Sequence, residues 1–389
     1  MLEQLENLQQ EMVDIRRHLH ENPELSFTEE KTPAYIAGYL KNLENVDITT
    51  GVGGRGVVAA IKGKKTGKTV ALRADFDALP IEEANDVPYK SRVSGVMHAC
   101  GHDAHTASLL GVAKVLSQNT GAFSGEVRLL FQHAEELLPG GAIDMVKAGC
   151  LEGVDAVFGS HVASEMPVGQ YGFRSGPVMA NADMFRLHIQ GKGGHGAAPH
   201  QCIDPVILMA NIIQYYQSIV TRRVDPLKSA VLSVCIAQAG TSAMNVIPDT
   251  ALVSGTVRTY DNAVQESIIK DMERIAKGVC DAAGASCSLE YIKGYPAVIN
   301  GANETILVKN SLSKIVDAKD VLEIQPKMGG EDFAHYLGKV PGSFFFTGCG
   351  NIEKGITYPH HHPRFDLDER SLLYSSKGLL SVALDYLAS

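Results

Sequence analysis

The stretch His98-Ala-Cys-Gly-His-Asp-Ala-His105 runs directly into an apolar segment, Thr106–Leu116, whose composition predicts a helix. Three histidines, one cysteine and one aspartate in so short a stretch are costly to bury unless something binds them. Sulfur, imidazole nitrogen and carboxylate together are the ligand types of a zinc-like catalytic site. The stretch therefore predicts a metal site at the edge of a folded core.

Further polar clusters follow short apolar runs elsewhere in the chain. These clusters are Gln132–Glu136 after Val127–Phe131, Gly159–His161 after Ala156–Phe158, and His360–His362 towards the C-terminus. Open α/β sheets build their sites at the carboxyl ends of their strands, so ligands placed directly after strands fit one shared site.

Strand-like and helix-like segments alternate around these clusters, which predicts an α/β sheet. A helix is expected over residues 3–20, where apolar side chains recur at helical spacing up to Asn22-Pro23. The expected strands are Gly56–Ile61, Thr69–Arg73, Glu126–Gln132 and Asp155–Ser160, and the expected helices are Thr32–Leu43, Thr106–Gln118 and Gly140–Ala148.

The central part of the chain follows a different order of elements, βαββαβ, which is the ferredoxin-like split motif. Its segments are Met184–Gln190, Asp204–Thr221, Ala230–Ala237, Ala251–Arg258, Asn262–Ala282 and Ser286–Ile292. We therefore expect two domains, with residues 179–292 inserted into an α/β domain formed by residues 1–178 and 293–389. This α/β domain carries the predicted metal ligands, including the histidines near the C-terminus.

Composition narrows the class of partner. The 389 residues carry a net charge of −9, contain no Trp and show no basic stripe, so nucleic-acid binding is not expected. No apolar stretch approaches 18 residues, and the acidic start does not resemble a signal peptide, so no membrane association is expected. Seven scattered cysteines without a C-x-x-C pair favour a reducing compartment. We expect a cytoplasmic protein that acts on a small molecule.

Seven ordered motifs together resemble one family of enzymes. They are Arg17–Glu24, Leu72–Pro80, Met97–His105, Phe131–Glu136, Gly191–His195, Asn245–Asp249 and His361–Asp366. In this order they resemble the dimetal amidohydrolases that include hippurate hydrolase, N-acetyldiaminopimelate deacetylase and the indoleacetyl-amino-acid hydrolases. More distant relatives of that family are aminoacylase, acetylornithine deacetylase and glutamate carboxypeptidase. The resemblance implies a mixed-sheet catalytic domain, an inserted lid and dimerisation domain, and a homodimer.

The resemblance also implies a set of metal ligands, which are Cys100, His102, Glu136, His161 and His361. Five protein ligands exceed what one catalytic zinc takes, so two divalent ions per subunit fit better. Zinc, manganese, cobalt and nickel are all compatible with these donors. His361 is selected among three consecutive histidines by register against the family's His-x-Pro-x-Phe-Asp motif. His360 stands where the family usually has an apolar residue.

Glu135 and Glu136 are neighbours, and on an extended segment their side chains would point in opposite directions. The resemblance assigns Glu136 to the metal and Glu135 to the proton transfers, as general base and then general acid. The reverse assignment stays open at this point. Asp75 and Asp77 resemble carboxylates that orient ligating imidazoles, with Asp77 included among the catalytic residues; the alternative is a pair of loop caps.

Three residues of the inserted segment resemble substrate contacts of the family. His195 corresponds to a histidine that, in dimeric members, reaches the partner's site and stabilises the tetrahedral oxyanion. Asn245 and Arg258 correspond to contacts with the substrate's carboxylate side. A loop histidine without a role and a solvated strand-end arginine are the alternatives for His195 and Arg258.

The predicted function is metal-dependent hydrolysis of the amide bond of an N-acyl-amino acid, giving a carboxylic acid and a free amino acid. A dipeptidase or carboxypeptidase on the same scaffold is the first alternative. The second is a metal-binding or effector-binding protein without catalysis, against which Glu135 and His195 argue. A Cys100 nucleophile is disfavoured because a thiolate bound to metal is not free to attack.

Overall fold

The computed structural model describes every residue from Met1 to Ser389. Its strands define one large sheet, one smaller sheet and two short pairs of strands. The strands are β1 (Asp47–Val52), β2 (Gly56–Lys62), β3 (Lys65–Asp75), β4 (Ser124–Gln132), β5 (Ala156–Pro167), β6 (Tyr171–Phe173), β7 (Gly176–Met179), β8 (Asp183–Gln190), β9 (Gly194–His195), β10 (Ala230–Ala239), β11 (Val246–Ile247), β12 (Thr250–Thr259), β13 (Ser286–Ile292), β14 (Val298–Asn300), β15 (Val321–Glu323) and β16 (Gly342–Gly350).

The α-helices cover both ends of the chain and separate most of the longer strands. They are α1 (Leu2–Asn7), α2 (Gln9–Glu21), α3 (Lys31–Lys41), α4 (His102–Gln118), α5 (Gly141–Lys147), α6 (Pro205–Arg222), α7 (Asn262–Ala283), α8 (Ala302–Leu312), α9 (Ala334–Leu337) and α10 (Arg370–Ala388). None of them combines the length and the apolar content that crossing a bilayer requires.

The chain divides into two compact units. The smaller unit is Met179–Ala297 with Lys327–Glu331, and the remaining residues form the larger unit. The domain limits expected from the sequence stay a prediction, because compactness alone does not show that either unit folds or moves independently.

The larger unit is built on an eight-stranded mixed sheet, in the order β1-β2-β4-β3-β5-β16-β6-β15. Its centre is parallel: β3 pairs in parallel with β4 and β5, and β5 pairs in parallel with β16. Helices α4 and α10 pack against this centre, and the buried side chains of α4, such as Leu109 and Leu110, contribute to one continuous core. The parallel centre brings the carboxyl ends of β3 and β4 to the same edge.

The smaller unit is a four-stranded antiparallel sheet in the order β10-β12-β8-β13, covered by α6 and α7. This is the ferredoxin-like order, and β8 alternates buried and exposed residues along its whole length. Asp204 caps α6 by accepting a hydrogen bond from the Val206 amide, and Pro205 occupies the first helical position. The mixed α/β class and the βαββαβ insertion are therefore confirmed.

Most predicted elements lie within a few residues of the observed ones, and three differ in ways that matter. The N-terminal helix breaks at Leu8 into α1 and α2, a break that leaves Leu5 and Met12 both fully buried. Helix α4 begins at His102, four residues earlier than predicted, because Gly101 takes a left-handed conformation and turns the chain there. Strand β5 continues to Pro167, so His161 lies inside a strand and not after one.

Candidate metal centre and catalytic residues

The metal ligands predicted from the sequence come from four separate segments of the larger unit and converge. The sulfur of Cys100 lies 3.5 Å from Nε2 of His161. Oε1 of Glu136 lies 3.3 Å from Nε2 of His361 and 3.9 Å from Nε2 of His102. Residues far apart in sequence therefore place nitrogen, sulfur and oxygen donors around one small volume.

These donors form overlapping groups in which all donor atoms lie within 4.8 Å of one another. One group is Cys100, His102 and His161, and another is Cys100, Glu136 and His361. Cys100 belongs to both groups, so its sulfur could serve either ion of a two-ion site. Two overlapping groups suit a two-ion site better than a single closed tetrahedral site.

The remaining ring nitrogens of two of the predicted ligand histidines, His102 and His161, are already engaged. Nδ1 of His102 lies 3.0 Å from the carbonyl oxygen and 3.2 Å from the carboxylate of Asp77, and it donates to them. Nδ1 of His161 donates to the carbonyl of Val162 at 2.6 Å. In both rings Nδ1 therefore carries a proton, and Nε2 is the nitrogen that faces the cluster and can bind a metal ion in exchange for any proton it holds. Asp77 takes the orienting position expected for it.

The chemistry of the donor cluster favours binding of a cation. Nε2 of His102 and Oε1 of Glu136 are buried and have no hydrogen-bond partner. Although burial opposes it, the carboxylates of Asp75 and Asp77 raise the pKa of His102 to about 10. Burial, together with Glu136, raises the pKa of the Cys100 thiol well above its usual value. Buried unpaired donors in a field of carboxylates fit divalent metal ions, and the raised thiol pKa disfavours a free cysteine nucleophile.

The expectation that Glu135 and Glu136 point in opposite directions is wrong. Oε2 of Glu135 and Oε1 of Glu136 each lie 3.9 Å from Nε2 of His102. The chain leaves β4 at Gln132 and bends at once, since Ala134 has a positive φ of 51°. Because the segment is not extended, the alternation of a strand does not apply, and both carboxylates face the donor cluster.

The three consecutive histidines near the C-terminus have three different surroundings. The backbone amide of His361 donates to the carbonyl of Ala99 at 2.8 Å, which ties its loop to the segment of Cys100. The ring of His360 lies 5.3 Å from the ring of His161, and the ring of His362 stacks on Tyr358 at 4.5 Å. Of these three, His361 is the one that places a ring nitrogen beside Glu136. It is also the histidine that alignment to the family's His-x-Pro-x-Phe-Asp motif predicts as the metal ligand.

His105, to which the sequence motifs gave no individual role, lies at the cluster. Nδ1 of His105 lies 2.6 Å from Oδ1 of Asp75, and its Nε2 accepts from the amide of Val162 at 2.9 Å. Asp75 is in turn paired with Arg73 at 2.6 Å. His105 follows His102 by three positions on α4, so the two rings share one face of the helix. That spacing is the signal by which His105 could have been found.

In the smaller unit, His195 and Asn245 lie side by side. Strands β9 and β11 pair, and the Gly196 amide donates to the carbonyl of Asn245 at 2.7 Å. Nδ1 of the exposed His195 accepts from the Ala197 amide at 3.0 Å, so its Nε2 carries the proton. Arg258 donates from one guanidinium nitrogen to the carbonyls of Asp183 and Val257, so that nitrogen is engaged within the unit.

A mixed α/β sheet that carries carboxylate-oriented histidines, a cysteine and paired glutamates at one site is the arrangement of a metal-dependent hydrolase. Comparison with known proteins assigns the family. The model of peptidase family M20/M25/M40 matches residues 71–384, and the chain belongs to this family.

The chain is similar to known proteins over most of its length. The N-acyl-L-amino acid amidohydrolase of Geobacillus stearothermophilus is 47% identical over 296 residues, covering 76% of this chain and 80% of that protein. Thermostable carboxypeptidase 2 of Saccharolobus solfataricus is 44% identical over 376 residues, covering 95% and 94%. The structure of the Bacillus subtilis YXEP protein, described as a dinuclear metal binding peptidase of the M20 family, has a TM-score of 0.86 and 37% identity. It covers 98% of this chain and 99% of that one.

Proposed function

We propose that this protein is a metal-dependent amidohydrolase that cleaves the amide bond of N-acyl-amino acids. The observation that carries the proposal is the placement of two carboxylates, Glu135 and Glu136, against one donor cluster with Cys100 and the histidines. One carboxylate can bind a metal ion while the other acts as general base and then general acid. Metal-dependent amide hydrolysis requires both functions. The relationship to the Geobacillus N-acyl-L-amino acid amidohydrolase supports the substrate class.

Cys100, His102, Glu136, His161 and His361 would hold two divalent ions, drawn from zinc, manganese, cobalt or nickel. When bound, such ions polarise the scissile carbonyl and lower the pKa of water. Glu135 would take a proton from the attacking water and return it to the departing nitrogen. Asp77 would keep His102 in the ligating tautomer throughout the cycle.

The smaller unit would supply the contacts to the substrate. The Ala197 amide leaves the His195 proton on Nε2, the arrangement required to donate to a developing oxyanion. Asn245, beside it, and Arg258 would hold the carboxylate side of the amino acid, Arg258 through the guanidinium nitrogens that the Asp183 carbonyl does not engage.

The experiment is turnover of N-acetyl-, N-benzoyl- and indoleacetyl-amino acids by protein stripped of metal and reloaded with manganese or zinc. We expect hydrolysis of acylated amino acids that is lost on adding a chelator and recovered on returning the metal. No turnover of any acylated amino acid by metal-loaded protein would contradict the proposal.

A carboxypeptidase is the second candidate, favoured by the 44% identity to thermostable carboxypeptidase 2. The same panel separates the two functions when it includes free dipeptides and longer peptides. Release of C-terminal amino acids from peptides in preference to hydrolysis of N-acyl-amino acids would identify this protein as a carboxypeptidase.

We further propose a homodimer in which His195 of one subunit completes the site of the other. Mixing the inactive variants Glu135→Ala and His195→Ala tests this, because a mixed dimer would contain one site with both wild-type residues. Recovered turnover would support action across the subunits. Failure to recover, with mixed dimers demonstrated, would place His195 in its own subunit's site.

A further inference from the structure

A buried glutamate outside the donor cluster has no role in the reaction described above. Glu29 precedes α3, and its side chain is fully buried. Its Oε1 accepts a hydrogen bond from the backbone amide of Ala134 at 2.8 Å, whereas its Oε2 has no hydrogen-bond partner. Burying a carboxyl group with one oxygen unpartnered is unfavourable, and the bond from the Ala134 amide is the contact by which this carboxyl group reaches the segment of the two site glutamates.

The partner, Ala134, has an unusual backbone conformation. Its φ of 51° lies in the left-handed region, which residues with a Cβ atom adopt only when their surroundings enforce it. Both of its backbone polar groups are held: Glu29 takes the amide, and the Gly141 amide donates to the carbonyl at 3.0 Å. Ala134 directly precedes the two glutamates of the site. Whatever fixes its φ therefore fixes the direction in which the chain presents them.

A further anchor holds the far side of the same turn. The backbone amide of Glu136 donates to Oδ2 of Asp77 at 3.0 Å, and Asp77 also accepts from the Ser26 hydroxyl at 2.7 Å. The loop that contains Ser26 and Glu29 thus acts on the turn twice, through Asp77 at Glu136 and directly at Ala134. Without the left-handed residue, successive side chains would tend to the alternation of an extended chain and one glutamate would leave the cluster.

We propose that Glu29 is a positioning residue whose carboxyl oxygen holds Ala134 in the left-handed conformation, and thereby directs both Glu135 and Glu136 at the metal ligands. Its kinetic consequence rests on the proposed function, whereas its consequence for metal binding does not. Burial, reinforced by the charge of Asp77, raises the pKa of Glu29 to about 7. The task requires an acceptor oxygen and not a negative charge, so glutamine should perform it.

The test compares Glu29→Gln, which keeps an acceptor oxygen, with Glu29→Leu, which removes it at similar volume. Glu30→Leu is the matched control, because Glu30 is the adjacent residue with a 79% exposed side chain. Each metal-free protein is titrated with Mn²⁺ by calorimetry, and kcat and KM are measured on an N-acetyl-amino acid. We expect Glu29→Gln and Glu30→Leu to stay within threefold of wild type. Glu29→Leu should bind Mn²⁺ at least tenfold more weakly and lose at least tenfold in kcat, with KM changed less than threefold.

Wild-type Mn²⁺ affinity in Glu29→Leu would overturn the proposal, and so would equal losses in Glu29→Gln and Glu29→Leu. If Glu29→Leu does not fold, Ala134→Val replaces it, because a β-branched side chain disfavours positive φ while leaving Glu29 intact. Ala134→Gly is then the control that keeps the conformation accessible. Wild-type affinity in Ala134→Val would likewise overturn the proposal. Failure of the proposed function looks different: wild-type protein would bind Mn²⁺ and hydrolyse no acylated amino acid.

Discussion

The donor cluster of the larger unit and the His195 region of the smaller unit are built in opposite ways. His102 and Cys100 are buried, at 0% and 8% exposure, and His102 has an orienting carboxylate of its own. His195 is exposed, on a two-residue strand that pairs only with another two-residue strand. The side chains of the first region are held by buried contacts within their own unit. The second relies on one backbone hydrogen bond to set its tautomer. Substitutions of the predicted metal ligands and of their orienting carboxylates in the first region should therefore change metal binding, whereas substitutions in the second region should change turnover alone.

The largest expected effect separates the two glutamates inside the cluster. Glu135→Ala should keep its metal and lose about 10³-fold in kcat, within the range for removal of a general base or acid. Glu136→Ala should lose metal content, because its oxygen lies beside both His102 and His361. Metal analysis and turnover of the two purified variants check this. The opposite result, with Glu135→Ala depleted of metal, would exchange the two roles.

The next effect tests the exposed region. His195→Ala should lower kcat about 10²–10³-fold, as is typical when one oxyanion donor is removed, and should leave metal content unchanged. His200→Ala is the control, since His200 is exposed on the same unit and lies in a short 3₁₀ turn. A loss in kcat below about tenfold for His195→Ala would exclude the oxyanion role. A loss of metal content would show that the exposed region also contributes to metal binding.

The same contrast explains what could be predicted from the sequence. Residues whose type and spacing carry the chemistry, such as Cys100 and His102, were identifiable because their motif is local. The ferredoxin-like unit was predictable because β8 alternates and α6 has a clear capping residue. The central strand β16 was not assigned, since its nine residues are buried throughout and show no alternation.

Features that arise only from tertiary contacts could not be predicted from the sequence. The bend after β4 depends on a left-handed alanine, a residue type that gives no turn signal, and on Glu29 from a distant loop. This contact made the expectation of opposed glutamates wrong. The pairing of Asp75 with His105 similarly joins the end of β3 to the first turn of α4. Local propensity contains no information on which distant side chain will satisfy a given backbone group.

A smaller effect tests whether the cluster depends on its orienting carboxylates. Asp77→Ala should weaken metal binding about 10–100-fold, because His102 loses the partner that fixes its tautomer and the turn loses the anchor at the Glu136 amide. Asp47→Ala, with a 77% exposed side chain on β1, is the control. Calorimetric titration of metal-free protein measures both. Unchanged affinity in Asp77→Ala would reduce Asp77 to a loop cap.

The smallest effect concerns stability and pH, and it separates the buried loop from its exposed neighbour. The folded state raises the pKa of Glu29 from 4.5 to about 7, chiefly by burial, with Asp77 adding to the shift and Arg55 opposing it. A carboxyl group with a raised pKa binds its proton more tightly when folded, so its ionisation costs stability as pH rises from about 4.5 through 7. The cost above pH 7 is about 3 kcal/mol for a shift of this size. Metal-free Glu29→Gln should therefore match wild type in Tm near pH 5 and exceed it by a few degrees at pH 8. Glu30→Gln, at an exposed position, should show no such growing difference.

A Tm difference between Glu29→Gln and wild type that stays constant across this pH range would mean that Glu29 is already ionised in the folded protein. The turn at Ala134 would then be held by a charge and not by a neutral acceptor.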